Sequence, residues 1–200
     1  NANKYGIVYK EKAPYEVLYT SLINYDKMNM LKSIEEMVET YYNSGKAINT
    51  IKYGIKFFNS SFDFFENLAI YWEENNYNNV SPSKMKLYEV IYTFLNNIDN
   101  IDKNILNEIV KFDILLNDNI KSLPTWINTD YNSNFKEKER LFYNNKENIE
   151  KYIPHLNNYD AKQLSRMCYF EKFNIDIENI INSNFNIIDK KETYILFDYY

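Results

Sequence analysis

From Leu31 to Leu116, apolar residues return every three or four positions, the spacing that lines one face of an α-helix. Leu31, Ile34, Met37, Val38, Tyr41 and Tyr42 make the first stripe. Gly45 follows where a left-handed residue ends many helices. Asn24 or Asp26 supplies the N-cap, a short acceptor for orphan backbone N–H groups. Lys46 to Phe58 is periodic again through Ile48, Ile51, Ile55 and Phe58, so a helix, a glycine stop and a second helix are expected as antiparallel neighbours. Tyr41, Tyr42 and Asn43 close the first stripe. They are candidates for core packing or for a partner surface, because tyrosine sets a polar tip on an apolar body.

The same logic extends the helical array. Ser60 or Ser61 caps a third helix with Phe62, Phe65, Leu68, Ala69 and Trp72 on its face, fraying at residues 74–76. Ser81 as cap and Pro82 in the first position start a fourth, lined by Leu87, Val90, Ile91, Phe94 and Leu95. After a polar break at 96–102, Ile105, Leu106, Ile109, Val110, Phe112, Leu115 and Leu116 line a fifth, ending near Asn117–Asn119. Upstream, Tyr5–Tyr9 is a short β-prone run with no evident partner, and Tyr15–Leu22 reads as a helical turn or two. Downstream, Ile120–Trp126 is a loop anchored by Trp126. A helix then begins at Asn132–Asn134 and runs through Tyr143 towards Ile153, and Asp160 caps another through Leu164. The character changes at Met167–Phe173 and again at Thr193–Tyr199, both strand-like. Ile177–Ile181 between them is a short helix and Asn186–Ile188 a further strand.

The expected fold is mainly α (α+β): a bundle or array of about five or more helices with a small C-terminal antiparallel β-sheet. Residues 1–2 read as an expression-tag remnant and 3–12 as a linker or strand from an upstream domain. Residues 13–200 then form a helical accessory domain, within which 167–200 contain the β-structure.

Charge and composition narrow the function. Net charge is -5, and Arg140 and Arg166 are the only arginines, a poor supply for nucleic-acid backbone or base contacts. No apolar run reaches the roughly 18 residues of a membrane span. A secretory apolar segment is also missing, so a cytoplasmic location is expected. Three glycines leave no room for a GxGxxG or Walker A loop. One cysteine, Cys168, cannot form an internal disulfide or supply a Cys-based cluster. No metal, cofactor or catalytic set is expected within this chain.

Individual polar residues are candidates of lower rank. His155 needs an orienting acid or a nucleophile to act as a base, and the local sequence supplies neither. Cys168, in a β-prone run, reads as a small buried hydrophobe. Lys111 and Asp113 put opposite charges on an apolar helix but lie on different sides of it, so they are not a natural ion pair. Asp113 sits near the apolar stripe, where a carboxylate needs a partner. Glu35, Glu36 and Glu39 have the spacing of a solvated helix face. Trp72 and Trp126 suit core packing, or an interface in which aromatic anchors carry binding. Tyr41, Tyr42, Asn43, Lys111, Asp113 and Trp126 are thus the candidate interface or structural residues.

Four strings carry a resemblance: Ala13-Pro14-Tyr15-Glu16-Val17-Leu18-Tyr19-Thr20; Glu35 through Gly45; Lys111-Phe112-Asp113-Ile114-Leu115-Leu116-Asn117 with Leu123-Pro124-Thr125-Trp126; and Leu196-Phe197-Asp198-Tyr199. Together they resemble the uncharacterised C-terminal domain of bacterial cobalamin-binding-domain radical SAM proteins, often described as Fe–S oxidoreductases. The resemblance implies an upstream barrel in the same polypeptide whose CxxxCxxC motif holds a 4Fe–4S cluster and S-adenosylmethionine, with cobalamin as a further parent cofactor. None of those residues lies in this chain. The resemblance therefore implies a non-catalytic accessory domain that packs on the barrel and shapes substrate or partner access. The alternative is a freestanding helical protein–protein interaction module.

Overall fold

Helix signals in the sequence become ten α-helices and two antiparallel two-stranded sheets in the computed structural model, which describes residues 2–79, 81–131 and 134–200. The chain divides into two units, Asn1–Ile98 and Asp99–Tyr200. The boundary falls inside the polar break at 96–102.

The first unit begins with a short helix α1 (Ala2–Tyr5) and a turn at Gly6, whose φ of +58° favours glycine. Strand β1 (Val8–Tyr9) then pairs antiparallel with β2 (Val17–Tyr19). This corrects the helical reading of residues 15–22. The Lys10 N–H donates to the Glu16 carbonyl at 2.8 Å, and the Glu16 carboxylate meets Lys32 Nζ at 3.0 Å. These non-local partners hold the segment extended, and a local pattern cannot reveal them. Asn1 lies outside the described residues.

Helix α2 (Tyr25–Met37) is capped by Asn24, which accepts the Lys27 N–H. It continues into a π-helical turn, Val38–Asn43, and stops at Gly45 with φ +72°. The wider turn was not visible in the apolar stripe. It parts two residues read as one face: Tyr41 is 1% exposed and Tyr42 48%. Helix α3 (Ile48–Ile55) is shorter than the 46–58 segment suggested. Ser60 caps α4 (Ser61–Glu74) as expected. Helix α5 (Lys84–Asn96) starts two residues later than expected, with Ser83 rather than Ser81 as its cap. The Ser83 hydroxyl accepts the Lys86 N–H at 3.3 Å, so the cap sits one residue beyond Pro82.

The core of this unit is aromatic. Phe64 contacts Phe58, Phe65 and Phe94 with ring centroids 5.0 to 5.9 Å apart, and Tyr41 meets Trp72 edge-on. Gly54 lets α3 approach closely: a Cβ there would lie 2.9 Å from both Leu95 and Phe64. The polar tips of Tyr41 and Tyr88 donate to the carbonyls of Leu87 and Lys46, each at 3.1 Å.

The second unit is built on α6 (Lys103–Asn117), capped by Asp102 through the N–H groups of Asn104 and Ile105. Asn107 clips the following loop. Its amide donates to the Asn128 carbonyl and its oxygen accepts the Asn128 N–H, both at 2.8 Å. In that loop Ile127 is buried and Trp126 half-buried. Two helices replace the single one expected to reach Ile153: α7 (Phe135–Asn144) and α8 (Lys146–Tyr152). Asn145 breaks them, extended at φ -93° and ψ 111° while its side chain caps α8. Of the expected start at Asn132–Asn134, Asn134 is the N-cap position of α7, while Asn132 and Ser133 lie outside the described residues.

Helix α9 (Ala161–Met167) opens with the reciprocal Asp160–Gln163 capping box. Strand β3 (Cys168–Phe173) then pairs antiparallel with β4 (Thr193–Asp198), from Cys168 opposite Asp198 to Phe173 opposite Thr193. Helix α10 (Ile177–Asn182) lies between them in sequence. Asn186–Ile188 is not a strand. Asn184 and Phe185 both take positive φ and turn the chain, leaving Ile187 and Ile188 exposed. Phe170 and Cys168 join Phe135, Tyr143, Leu156 and Leu164 in one apolar cluster.

Candidate functional site

Lys111, in the middle of α6, is the centre of a buried charge network. An ammonium has three protons, and each finds an acceptor. Glu108 Oε2 lies at 3.0 Å, Glu171 Oε1 at 3.3 Å and the Lys172 carbonyl at 2.6 Å. The Phe173 ring sits 4.4 Å below the ammonium. Glu108 is one helical turn from Lys111, and β3 delivers Glu171 and Phe173 on the same face because side chains two apart on a strand point the same way. Lys172 points to the other side. Its Nζ meets Glu192 at 3.0 Å and the Asp130 carbonyl at 3.2 Å.

One ammonium serves two carboxylates here, so burial outweighs Lys111 at Glu171 and holds its carboxyl above the usual carboxylate range. The second oxygen of Glu171 accepts from the Tyr131 hydroxyl at 2.8 Å. Burial first, and then the nearby Glu171 charge, raise the Tyr131 phenol and push Tyr169 up to about 12.

Glu171 and Tyr131 carry this network to the wall of a cleft of about 1210 Å³ within the second unit, whose lining also includes Phe135, Glu139, Cys168 and Tyr169. Lys121, Lys136 and Arg166 line it as well. Burial also raises the Glu139 carboxyl, offset by Lys136.

His155 and Cys168 do meet a common partner, which the sequence did not reveal. Asp198 Oδ2 lies 2.8 Å from His155 Nε2, and the Cys168 thiol points to Asp198 Oδ1 at 3.9 Å. The order is wrong for nucleophilic catalysis, which needs the imidazole against the thiol and the acid behind it. Here the acid stands between. Burial and then Asp198 push the thiol up to about 11, a protonated and unreactive form. Among the described residues no group of three or more His, Cys, Asp and Glu is placed to hold a metal.

The first unit carries a different surface. Ile34, Val38, Tyr42, Ile55, Phe62 and Phe65 line an apolar groove of about 450 Å³ beside the π-helical turn. Tyr42 and Phe62 remain 48% and 52% exposed there. Asn43 turns away to donate to Glu39 at 2.6 Å.

The expected residues are therefore dispersed. Tyr41 is core, Tyr42 lines the groove, Lys111 centres the network, and Trp126 is a half-buried loop anchor. Asp113 is fully buried and accepts the Asn117 amide on its carbonyl at 2.8 Å. Glu108, Glu171, Lys172, Tyr131 and Asp198 were missed. The signal for two of them was present: Glu171-Lys172 is a charged pair inside a run that otherwise reads as a buried strand.

Among known families, a model described as "Protein of unknown function (DUF4080)" matches residues 3–197. No curated protein matches the chain, and no solved structure does. Among the described residues no helix is long and apolar enough to cross a membrane.

Proposed function

The chain belongs to the DUF4080 family, and from that premise we propose that it is a non-catalytic accessory domain of a longer radical SAM, cobalamin-binding-type Fe–S protein. In this reading it packs on the upstream barrel of the same cytoplasmic polypeptide and shapes access for substrate or partner. The observation that carries it is the division of labour among its residues. In the second unit the Lys111 ammonium is fully partnered by Glu108, Glu171 and the Lys172 carbonyl, and Cys168 is held as a thiol. The groove of the first unit, by contrast, exposes Tyr42 and Phe62. The four strings that resemble the C-terminal domain of those proteins support the assignment to a parent. This chain's own residues do not fit the parent's cluster, because it has one cysteine and a CxxxCxxC site needs three. The cluster, S-adenosylmethionine and any cobalamin therefore belong to the upstream part.

The test is to express the longer reading frame anaerobically, reconstitute it, and assay iron, sulfide and reductive cleavage of S-adenosylmethionine, with this chain as control. Cluster and cleavage in the longer protein alone support the reading; a parent frame without either sinks it. The exposed groove also suits the alternative, a freestanding helical interaction module, which an upstream frame lacking a cluster motif would favour.

A further inference from the structure

We propose that the cleft of the second unit binds an organic anion made of a flat aromatic ring carrying a phosphate or carboxylate group. Lys121, Lys136 and Arg166 face this one cleft from three separate segments: the loop after α6, the first turn of α7 and the last turn of α9. The lining carries these three cations against two acids, the reverse of the balance of the whole chain, where 28 acidic residues outnumber 23 basic ones. Among the described residues neither Lys121 nor Arg166 forms an ion pair, whereas Lys111, Lys138 and Lys172 in the same unit all do.

The acids of the cleft do not cancel this charge. The Glu171 carboxylate is taken by Lys111 at 3.3 Å and by the Tyr131 hydroxyl at 2.8 Å. The lining thus sets three cations against two acids, of which Glu171 is already engaged by Lys111 and Tyr131. The site is thus positive in an acidic protein, the condition that selects an anion.

The ring preference comes from the wall. Tyr131 and Phe135 stack with centroids 4.5 Å apart and planes 18° from parallel, and Phe135 continues on to Phe170 at 6.1 Å. Tyr131 is still 41% exposed at the outer end of that stack, so a ligand ring can extend it. A further polar group waits near the inner wall. The Tyr143 hydroxyl is buried without a hydrogen-bond partner and lies close to two lining residues, Cys168 and Glu139. A cleft of this volume accommodates a ring with its anionic tail.

Calorimetric titration of the full 200-residue chain with phenyl phosphate, phenylacetate and inorganic phosphate tests this. Saturable binding of a ring-bearing anion is expected, at least about tenfold tighter than inorganic phosphate; whichever of the two binds tighter identifies the anionic group. Arg166→Ala and Lys121→Ala are each expected to weaken it about tenfold, the usual worth of a charge-assisted contact. Tyr131→Ala should bring phenyl phosphate down to the level of inorganic phosphate. Arg140→Ala, on α7 outside the cleft, should change nothing. No saturation by either ring-bearing anion up to about 10 mM, a concentration that reveals even weak sites, overturns the proposal. So does affinity that is indifferent to both cation substitutions in variants whose circular dichroism is unchanged. Equal binding of phenyl phosphate and inorganic phosphate overturns the ring preference.

Discussion

The two units solve the same packing problem with opposite chemistry. Among the described residues, the first buries Asn49 and Thr50 as its polar side chains, both uncharged, inside a core of interlocked aromatic rings. The second buries Glu108, Lys111, Asp113, Asp118, Glu171 and Lys172. An aromatic core tolerates approximate partners, because contact area is non-directional. A buried ion network does not, since a charge left without its partner costs several kcal/mol. The first unit is therefore held by area, and the second adds to its apolar cluster a buried network that ties β3 to α6.

The two tryptophans make this contrast measurable. Trp72 lies in the first unit and Trp126 in the second, so Trp72→Phe and Trp126→Phe backgrounds report each unit separately. Lys111→Met should give the largest effect, a loss of about 3–5 kcal/mol in urea unfolding read by Trp126. Phe64→Ala should cost a similar amount, about 3–5 kcal/mol read by Trp72, from the cavity it leaves. The pair separates on titration: the Lys111→Met loss should shrink as pH falls and the stranded carboxylates protonate, whereas the Phe64→Ala loss should stay constant. Gly54→Ala should follow at about 1–3 kcal/mol, because its Cβ would press on Leu95 and Phe64.

Glu171→Gln sharpens the same point by its pH profile. Because the carboxyl of Glu171 lies above its unfolded value in the folded chain, the native state holds the proton over a window where the unfolded chain has lost it. The Glu171 contribution is then fully present below the unfolded value of about 4.3 and is lost as pH rises through the folded one. The stability of wild type relative to Glu171→Gln should increase as pH is lowered from neutral towards that value. A gap that narrows on acidification would mean Lys111 dominates and the carboxyl is depressed. The smallest stability effect belongs to Tyr42→Ala, within about 0.5 kcal/mol, since the side chain is half exposed. If the groove docks the upstream part of the proposed parent, Tyr42→Ala should weaken that association, measured by sedimentation or pull-down.

The contrast also decides what could be read from residues alone. Helix stripes, the Asn24, Ser60 and Asp160 caps, the Gly45 stop and the β3–β4 pair were legible because each signal is local and repeats at a known period. The hairpin of β1 and β2 was not, since its stabilising contacts reach from Glu16 to Lys10 and Lys32. The π-helical turn escaped for a different reason: it leaves the apolar spacing almost unchanged, with Ile34, Val38 and Tyr42 still lining one groove. Lys111 and Asp113 stand out in the sequence as charges on an apolar helix, but of the two carboxylates that meet Lys111 only Glu108 lies on that helix. Glu171 is 60 residues away on a strand, and no periodicity connects them.

The most direct measurement is a double-mutant cycle of Lys111→Met, Glu171→Leu and the combined variant, by urea unfolding in the Trp72→Phe background. If the network is the scaffold of the second unit, the double variant should recover stability relative to the sum of the single losses, with a coupling of about 2 kcal/mol. Losses that add within about 0.5 kcal/mol would mean the two charges do not depend on one another, and that the second unit is held, like the first, by its apolar contacts alone.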